Sequence, residues 1–480
     1  MDTNNFVIKM QKEILYLKIA TIIEEQITSG TLKTGDKLPS IRTVQKIYNV
    51  SINTVKQAFL ELESKSLIAS RPKSGYYVSR GFQSNLALPS MRQLKLSEKE
   101  KAPEDLISKV FNTFTDKNIT QFSLGVTDKS MLPIAKLNKG VIKILRNLED
   151  SGTAYEPAQG NINLRRNVAK WSFTWDGHLN EEDIVTTSGA LNALLYSLMT
   201  VTNPGDTIAI ESPVYFGILQ MIKSLGLHII ELPTHPVTGV AIEDLKKVLP
   251  KIKACCLVSN FNNPIGSCMP EENKKEVVQL LTLHNIPLIE DDLYGDIFFG
   301  TNRPKPCKAF DEEEIVMWCG SVSKTLAPGY RVGWVAPGKF KEKLIRQKLI
   351  QTLSSPPLYQ EVIADFMEHG RYDHHLRTLR NTLYTNYLHF QRTIENHFPE
   401  NTKISKPQGG FVLWLELDPK IDTALLYDIA IQHKISFAPG RMFTQHDQYN
   451  NCMRLNFAVK WDEKTENSLK KLGQLIKQQL

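Results

Sequence analysis

Apolar residues near the N-terminal end recur at close to a helical period. One helix is predicted from the apolar positions Leu15, Leu17, Ile19, Ile22, Ile23 and Ile27. It ends at Gly30, a short second helix follows Pro39, and a third begins after Ser51 and runs to about Lys65. The next run, LIASRPKSGYYVS, contains two β-rich stretches joined by a Lys-Ser-Gly turn. Three helices followed by a basic hairpin predict a winged helix-turn-helix in residues 1–80.

The pattern changes twice beyond residue 80. Residues 81–120 are polar and charged, which predicts a linker with one short helix near residues 103–114. From residue 121 to residue 480, helical periods alternate with the strand-like runs DTIAIES, IKACCLVSN, IPLIEDD and EIVMWCGSVSK. Strands separated by helices predict an α/β domain with a mostly parallel sheet covered on both faces.

The net charge of +7 is unevenly distributed along the chain. Residues 1–80 carry 12 Lys and Arg against 7 Asp and Glu, a balance of +5, so the other 400 residues share only +2. A small basic module on a near-neutral body indicates that the N-terminal end meets a polyanion.

Other composition signals exclude several classes of protein. No apolar stretch reaches the roughly 18 residues that a membrane span needs, and the N-terminus lacks the apolar core of a secretory signal. We therefore expect a cytoplasmic protein without a membrane partner. The 6 cysteines show neither a C-x-x-C pair nor the Cys/His spacing of a metal site, which favours reduced, structural cysteines and no metal.

The run LPSIRTVQKIYNVSINTVKQAFLELESKSLIASRPKSGYYVS resembles the DNA-binding domain of GntR-type transcription regulators over nearly its whole length. The resemblance implies binding to double-stranded operator DNA through Ser40, Arg42, Ser51, Asn53, Thr54, Lys56 and the wing residue Gly75. Arginine and lysine neutralise phosphates, and short polar side chains at a helix N-terminus reach phosphates or base edges. The chain departs from the family at Ile52, where members often carry arginine.

The segment GSVSKTLAPGYRVGW carries the strongest chemical signal. Lys324 follows a predicted strand directly, so it can reach a pocket at the carboxyl end of the sheet. The hydroxyls of Ser321 and Ser323 and the cation of Arg331 lie close in sequence and suit a dianionic phosphate. A lysine beside a phosphate site is what pyridoxal 5′-phosphate (PLP) requires, because the amine forms an imine with the aldehyde while the phosphate anchors the ring.

Residues 120–475 resemble the PLP-dependent aminotransferases of fold type I, with motifs in the expected order. The resemblance implies that Lys324 holds PLP as a Schiff base and moves a proton, and that Asp291 pairs with the pyridine nitrogen. The other implied cofactor ligands are Tyr294 and Asn263 at the phenolic oxygen, Tyr215 against the ring, and Ser188, Gly189, Ala190, Ser321, Ser323 and Arg331 at the phosphate. Asp292 lies beside Asp291, so the carboxylate assignment has a neighbouring alternative.

The same resemblance extends to the substrate and to a second subunit. Arg454 matches the family arginine that binds the α-carboxylate, and Gly125 matches a glycine near the substrate. Tyr155 matches a tyrosine that reaches the phosphate of the partner subunit, which implies a homodimer. The runs KPQGGFVLWLEL and FAPGRMF look like the opening of a smaller C-terminal α+β subdomain. We find no second arginine to assign to a side-chain carboxylate, so the ligand stays open.

A GntR-type domain, a linker and a complete aminotransferase-like domain in one chain resemble the MocR family of bacterial regulators. In that family the C-terminal domain binds PLP and serves as a sensor. The leading hypothesis is thus a transcription regulator that senses an amino compound or PLP through Lys324. The alternative is an aminotransferase, converting an amino acid to a 2-oxo acid, with an accessory DNA-binding module. A structural DNA-binding protein with an inactive enzyme domain is disfavoured because Lys324 and Asp291 are intact.

Overall fold

The computed structural model describes residues 3–65, 67–71, 74–79, 86–92, 104–150 and 152–480. The chain divides into two compact units, Met1–Asn85 and Leu86–Leu480. No helix in the described part of the chain is long and apolar enough to cross a membrane.

The first unit contains the predicted helices and hairpin. Its elements are α1 (Thr3–Thr28), α2 (Ile41–Tyr48), α3 (Ile52–Ser64), β1 (Ile68–Arg71) and β2 (Gly75–Val78). Its core contains Ile19 and Ile23 of α1 with Val55, Phe59 and Leu62 of α3. Leu15 and Leu17 of the predicted stripe are each 40% exposed, so the inward face of α1 is narrower than predicted. The hairpin strands pair in an antiparallel register. Lys73 of the predicted turn lies outside the described residues.

Short polar side chains define where α2 and α3 begin. The Ser40 hydroxyl accepts a hydrogen bond from the Thr43 backbone N–H, and the Ser51 hydroxyl accepts one from Thr54, each at 3.1 Å. Such N-caps satisfy donors that have no partner inside the helix. The starting points of α2 and α3 are thus encoded locally by two serines.

The second unit has two layers of helices around a sheet, followed by a smaller sheet. Its helices are α4 (Glu104–Asn112), α5 (Ile134–Asn147), α6 (Ile162–Ser172), α7 (Ala190–Val201), α8 (Phe216–Ser224), α9 (Ile242–Val248), α10 (Glu271–Leu283), α11 (Lys341–Thr352), α12 (Pro357–Glu368), α13 (Arg371–His397), α14 (Thr423–Gln432) and α15 (Glu463–Lys477). Its strands are β3 (Thr120–Gln121), β4 (Val185–Thr187), β5 (Thr207–Ser212), β6 (His228–His235), β7 (Gly239–Val240), β8 (Ala254–Leu257), β9 (Leu288–Asp291), β10 (Val316–Ser321), β11 (Gly333–Ala336), β12 (Lys403–Ile404), β13 (Val412–Glu416), β14 (Ile435–Ser436), β15 (Ala438–Pro439) and β16 (Cys452–Asn456).

The large sheet has the strand order β4-β11-β10-β9-β8-β5-β6-β7. Its central strands, from β10 through β9, β8 and β5 to β6, run parallel, while β4, β11 and β7 join by antiparallel pairs. The four predicted strand-like runs became β5, β8, β9 and β10, and the predicted mostly parallel sheet is confirmed. Because β8, β9 and β10 are parallel neighbours, the residues that follow them meet at one edge of the sheet.

The smaller sheet has the order β12-β13-β16-β15 and is antiparallel. It packs with α13, α14 and α15 around one apolar cluster. In this sheet β16 carries Arg454, opposite Trp414 of β13 and Ala438 of β15.

Part of the predicted linker differs from expectation. Residues 86–92 and 104–120 belong to the second unit, whereas residues 81–85 and 93–103 lie outside the described residues. Leu86, Ile107 and Val110 are buried in the apolar cluster of the smaller sheet, and β3 pairs with β14. The composition of residues 81–120 did not indicate this packing, because the segment has few apolar residues and many charged ones. The helix expected near residues 103–114 is α4.

Candidate functional site

A cavity of about 180 Å³ lies at the carboxyl edge of the large sheet. Asp291 is the last residue of β9, Lys324 lies in the turn after β10, and Asn263 lies in the loop after β8. The predicted site residues that line the cavity are Gly125, Ala190, Tyr215, Asn263, Asp291, Tyr294, Ser323, Lys324, Arg331 and Arg454. Residues from seven separate segments of the chain thus meet around one space.

Lys324 points its amine into this cavity without an ion-pair partner among the described residues. Its Nζ donates a hydrogen bond to the Gly125 carbonyl at 2.5 Å. Burial and the nearby positive charge of Arg454 lower the pKa of Lys324 from 10.5 to about 8, although Asp291 opposes the shift. A larger neutral fraction makes this amine a better nucleophile near neutral pH than a surface lysine.

The structure separates the two adjacent carboxylates that the sequence left as alternatives. Asp292 accepts hydrogen bonds from Arg303 Nη2 at 2.5 Å, from Asn260 Nδ2 at 2.8 Å and from Trp318 Nε1 at 2.9 Å. Its charge is balanced inside the protein, and it is absent from the residues that line the cavity. This arrangement excludes Asp292 from contact with a ligand in the cavity.

Asp291, by contrast, faces the cavity, and among the described residues it accepts a side-chain hydrogen bond only from the Leu293 backbone N–H, at 3.3 Å. Burial raises the pKa of Asp291 to about 7, and the Leu293 N–H and the Lys324 cation only partly offset this effect. A buried carboxylate without a close cation is costly, so this position favours a ligand that brings a positive charge.

Arg454 is fully buried on β16 and also faces the cavity. Its Nη1 donates to Asn263 Oδ1 at 3.1 Å, and its Nη2 donates to the Ser123 carbonyl. Its Nε has no hydrogen-bond partner, and no described carboxylate forms an ion pair with it. Burial lowers the pKa of Arg454 to about 10. A buried guanidinium that lacks an anion favours an anionic ligand.

Aromatic and amide groups complete the central part of the cavity. Asn263 Nδ2 donates to the Tyr294 hydroxyl at 3.4 Å, and Tyr294 is buried against Phe411. Burial raises the pKa of both Tyr215 and Tyr294, so both phenols stay protonated and can donate a hydrogen bond.

Arg331 and Ser323 meet the N-terminus of α7 at one end of the site. Arg331 Nη1 donates to Ser323 Oγ and its Nη2 donates to the Ser188 carbonyl, both at 3.2 Å. Gly189 caps α7 with a φ of +92°, and a Cβ there would lie 2.3 Å from Arg331 Nη2. A cation, a hydroxyl and a helix N-terminus together form a site for a phosphate.

Four predicted cofactor residues do not line the cavity, namely Tyr155, Ser188, Gly189 and Ser321. The Ser321 hydroxyl lies 2.7 Å from that of Ser323 and donates to the Val332 carbonyl, so it positions Ser323. Tyr155 is 81% exposed, which suits contact with another molecule. Their roles stay predictions.

The residues present fit PLP. Lys324 offers an amine for the aldehyde, Asp291 offers a carboxylate for a protonated ring nitrogen, and Arg331 and Ser323 offer donors for the phosphate. The four charged side chains that line the cavity, Asp291, Lys324, Arg331 and Arg454, have no ion-pair partners among the described residues, and they match the charges of PLP and of an amino-acid carboxylate.

Sequence reasoning missed Glu211, a buried carboxylate on β5. Its Oε2 accepts hydrogen bonds from the Val258 N–H at 2.7 Å and from Asn262 Nδ2 at 2.9 Å, which positions the loop that carries Asn263. Burial raises the pKa of Glu211 to about 8. The only sequence signal was an acidic residue at the end of an apolar strand.

In the first unit, the predicted DNA contacts fall into two groups. Arg42, Asn53 and Lys56 are exposed on α2 and α3. Ser40, Ser51 and Thr54 are engaged in helix caps, with Thr54 only 9% exposed, whereas Gly75 opens β2 with a φ of +107°.

Two cations lie near the Tyr77 ring of the hairpin, whose basic character the sequence predicted. The Arg71 guanidinium lies 4.1 Å from the Tyr77 ring centroid, and Lys37 Nζ lies 5.8 Å from it. The run RPKSGYY carried part of the signal for this arrangement, since two basic residues precede two tyrosines in it, whereas Lys37 lies outside the run.

Two family models match the chain. The model described as "Aminotransferase class I and II" matches residues 121–472. The chain belongs to this family. A second model, "Bacterial regulatory proteins, gntR family", matches residues 15–78, so this class I and II aminotransferase-family chain has the domain architecture of the MocR type. PLP is its cofactor, in agreement with the fit of the site.

Two relatives match the chain over nearly its whole length. The chain is 33% identical to "Uncharacterized HTH-type transcriptional regulator YjiR" and 34% identical to "Uncharacterized HTH-type transcriptional regulator YdcR", both of Escherichia coli. The first comparison covers 96% of this chain and 98% of the relative, and the second covers 97% and 99%.

A solved structure of the kynurenine aminotransferase of Pyrococcus horikoshii, in complex with PMP, superimposes with a TM-score of 0.72. It is 28% identical to this chain, and the comparison covers 80% of this chain and 96% of that one. The predicted fold type is thereby confirmed.

Proposed function

We propose that this protein is a transcription regulator that binds operator DNA through its first unit and senses an amino compound through its PLP site. The observation that carries the proposal is a cavity with buried, unbalanced charges in a chain that also contains a GntR-type domain. The regulator names of its full-length relatives support the same assignment. Contact with the chromosome would place the protein in the cytoplasm.

In this proposal each side chain has a defined task. PLP, when bound, supplies an aldehyde that reacts with amines and a ring that withdraws electrons. Arg454 would orient the ligand by its carboxylate, while Lys324 would hold or release a proton at Nζ. Tyr294 and Asn263 would donate hydrogen bonds toward the ring's phenolic oxygen, and Asp291 would keep the ring nitrogen protonated.

Regulation requires that the ligand bind two conformations with different affinities, because equal affinity shifts no equilibrium. The test is to measure binding of the full chain to DNA from upstream of its own gene, with and without PLP and a panel of amines. We expect the apparent Kd for DNA to change by at least fivefold with one amine, since typical coupling factors lie at about 5–150. Identical DNA binding under all conditions would refute the sensor proposal.

The second candidate function is transamination between an amino acid and a 2-oxo acid. The favouring observation is that Lys324, Asp291, Tyr294, Asn263 and Arg454 all face one cavity. Steady-state assays with pairs of amino donors and oxo acids separate the candidates. Rapid multiple turnover would favour the enzyme, and a single slow half-reaction would favour the sensor.

We further propose a homodimer in which Tyr155 reaches the phosphate site of the partner subunit. The support is the 81% exposure of a tyrosine that lies outside the cavity of its own chain. Sedimentation of the wild type and of Tyr155→Phe tests this proposal. Both should sediment as dimers, and Tyr155→Phe should bind PLP more weakly because it lacks one hydroxyl donor.

The domain division also remains part of the proposal. We assign residues 1–80 to DNA binding and residues 121–480 to the PLP domain. Between them, residues 86–92 and 104–120 pack with the second unit and are best treated as an extension of the PLP domain.

A further inference from the structure

Every charged side chain that lines the cavity is matched to PLP or to the ligand's α-carboxylate, so none is left to pair with a charged ligand side chain. Among the described residues, the charged side chains that line it are Asp291, Lys324, Arg331 and Arg454. The first three match the ring nitrogen, the aldehyde and the phosphate of PLP, and Arg454 matches the α-carboxylate. A second carboxylate or ammonium on the ligand would therefore lose its hydration without gaining an ion pair.

The rest of one cavity wall is apolar and comes from the segment before the sheet. Val110 and Phe111 of α4, Phe114 in the turn after it, and Leu124 and Val126 beside Gly125 all line the cavity. A Cβ on Gly125 would lie 3.7 Å from Arg454 Nη1 and 3.9 Å from Lys324 Nζ. The loop after β3, which carries Leu124, Gly125 and Val126, thus runs directly past the groups that would hold the ligand's amine and carboxylate.

Phe111 and Phe114 are large apolar residues that remain about half exposed to solvent. They are 46% and 49% exposed, although they line a concave cavity. Phe111 contacts Phe216 edge to face, with 5.5 Å between ring centroids, and Ile107 and Val110 anchor α4 in the core. The Phe111 ring is held in place by this packing, so it is preorganised to cover an apolar group.

We propose that the ligand is an amino acid with a large apolar side chain, aromatic side chains included, and that Phe111 and Phe114 bind that side chain. The inference rests on the proposed function, because it assumes an amino-acid ligand at the PLP site. It adds a specificity determinant that lies outside the family-type cofactor motifs. It also places the ligand against α4, in the stretch of chain that leads from the DNA-binding unit.

The test uses the full chain loaded with PLP. Binding of L-phenylalanine, L-alanine, L-glutamate and L-lysine is measured by calorimetry and by the change in cofactor absorbance. We expect L-phenylalanine to bind at least tenfold more tightly than the other three, as a filled apolar subsite discriminates by about 10–200-fold. Tighter binding of L-glutamate or L-lysine would overturn the proposal.

Variants locate the side-chain subsite. Phe111→Ala and Phe114→Ala should each weaken L-phenylalanine binding by about tenfold and L-alanine binding by less than twofold, because only the larger side chain meets the rings. Phe111→Leu should recover part of the loss. Phe173→Ala, at a 66% exposed phenylalanine outside the cavity, is the matched control and should change neither value.

Two further outcomes keep the test decisive. Equal losses for both amino acids would overturn the assignment of the rings to the ligand side chain. Dissociation of a dimer in Phe111→Ala with unchanged ligand preference would also overturn it, because a partner subunit would then cover the ring. If the protein prefers L-phenylalanine but L-phenylalanine does not change its affinity for DNA, the proposed ligand class is supported and the regulator proposal fails.

Discussion

The two units present their candidate functional groups in opposite ways. In the PLP domain, Lys324, Asp291 and Arg454 are withdrawn from bulk water, face one cavity, and have pKa values displaced from the ordinary range. In the first unit, Arg42 and Lys56 stand on exposed helix surfaces. A buried charge without a partner requires a ligand, whereas an exposed charge contributes only to the field of its surface. The first kind of site therefore specifies its ligand more closely than the second.

Removal of the reacting amine gives the sharpest test of the buried site. We expect Lys324→Ala to lose the visible absorption band of lysine-bound PLP completely, because no other described lysine lines the cavity. Absorption spectra after reconstitution with PLP provide the measurement. Lys339→Ala, at an exposed lysine, should keep the band. A wild type that stays colourless with PLP would contradict the central assignment.

The adjacent carboxylates should respond to neutralisation in opposite directions. Asp291→Asn should weaken PLP binding by about 100-fold, because the protonated ring nitrogen loses its counter-charge. Without PLP, at pH 8, the free energy of unfolding of the same variant should exceed that of the wild type by about 2 kcal/mol. Asp292→Asn should instead destabilise the protein by about 3 kcal/mol, because it leaves Arg303 buried with less charge compensation.

The sign for Asp291 follows from its raised pKa. The folded protein holds this proton up to about pH 7, against 3.8 for an unperturbed aspartate. Stability from the protonated group is therefore present below pH 3.8 and is lost as the pH rises to 7. Denaturant titrations of the PLP-free wild type and of Asp291→Asn at pH 5 and pH 8 measure this contribution. If Asp291→Asn changed the free energy of unfolding by the same amount at both pH values, this account would be contradicted.

Substitutions on the exposed surface should produce smaller and more uniform effects. Arg42→Ala and Lys56→Ala should each weaken DNA binding by about fivefold and lower the salt slope by about 1, with little change in sequence preference. Lys65→Ala is the control, since Lys65 Nζ already lies 2.7 Å from a Glu24 carboxylate oxygen. Fluorescence anisotropy at several salt concentrations measures these effects. A change in the PLP spectrum would show that the two sites are not separable.

The smallest effect should be the pH dependence of PLP uptake. Because the pKa of Lys324 is lowered to about 8, the fraction of Lys324 with a neutral amine increases strongly between pH 7 and pH 8. The rate of reconstitution should therefore rise by about fivefold over that unit. In Arg454→Gln the midpoint should move upward, since a nearby positive charge is removed. An unchanged midpoint would exclude Arg454 as a cause of the shift.

Several features of the fold and site were predictable because they depend on short segments. The serines that cap α2 and α3, the apolar runs of β5, β8, β9 and β10, and the order of the cofactor motifs are local patterns. Local patterns survive folding because backbone hydrogen bonding and side-chain periodicity act over a few residues. The linker was less predictable, since Ile107 and Val110 pack in a cluster most of whose members lie more than 100 positions further along the chain.

The sequence by itself determined that this chain has a GntR-type domain, a PLP domain and a lysine suited to an aldehyde. Only the tertiary structure decided which of two adjacent aspartates faces the ligand. Arg303, Asn260 and Trp318 donate hydrogen bonds to Asp292, whereas Asp291 faces the cavity. The tertiary structure also decided that Phe111 and Phe114 share a cavity with Lys324 and Arg454. Residue type and spacing report what a side chain can do, but the partners that satisfy it are brought together by long-range packing.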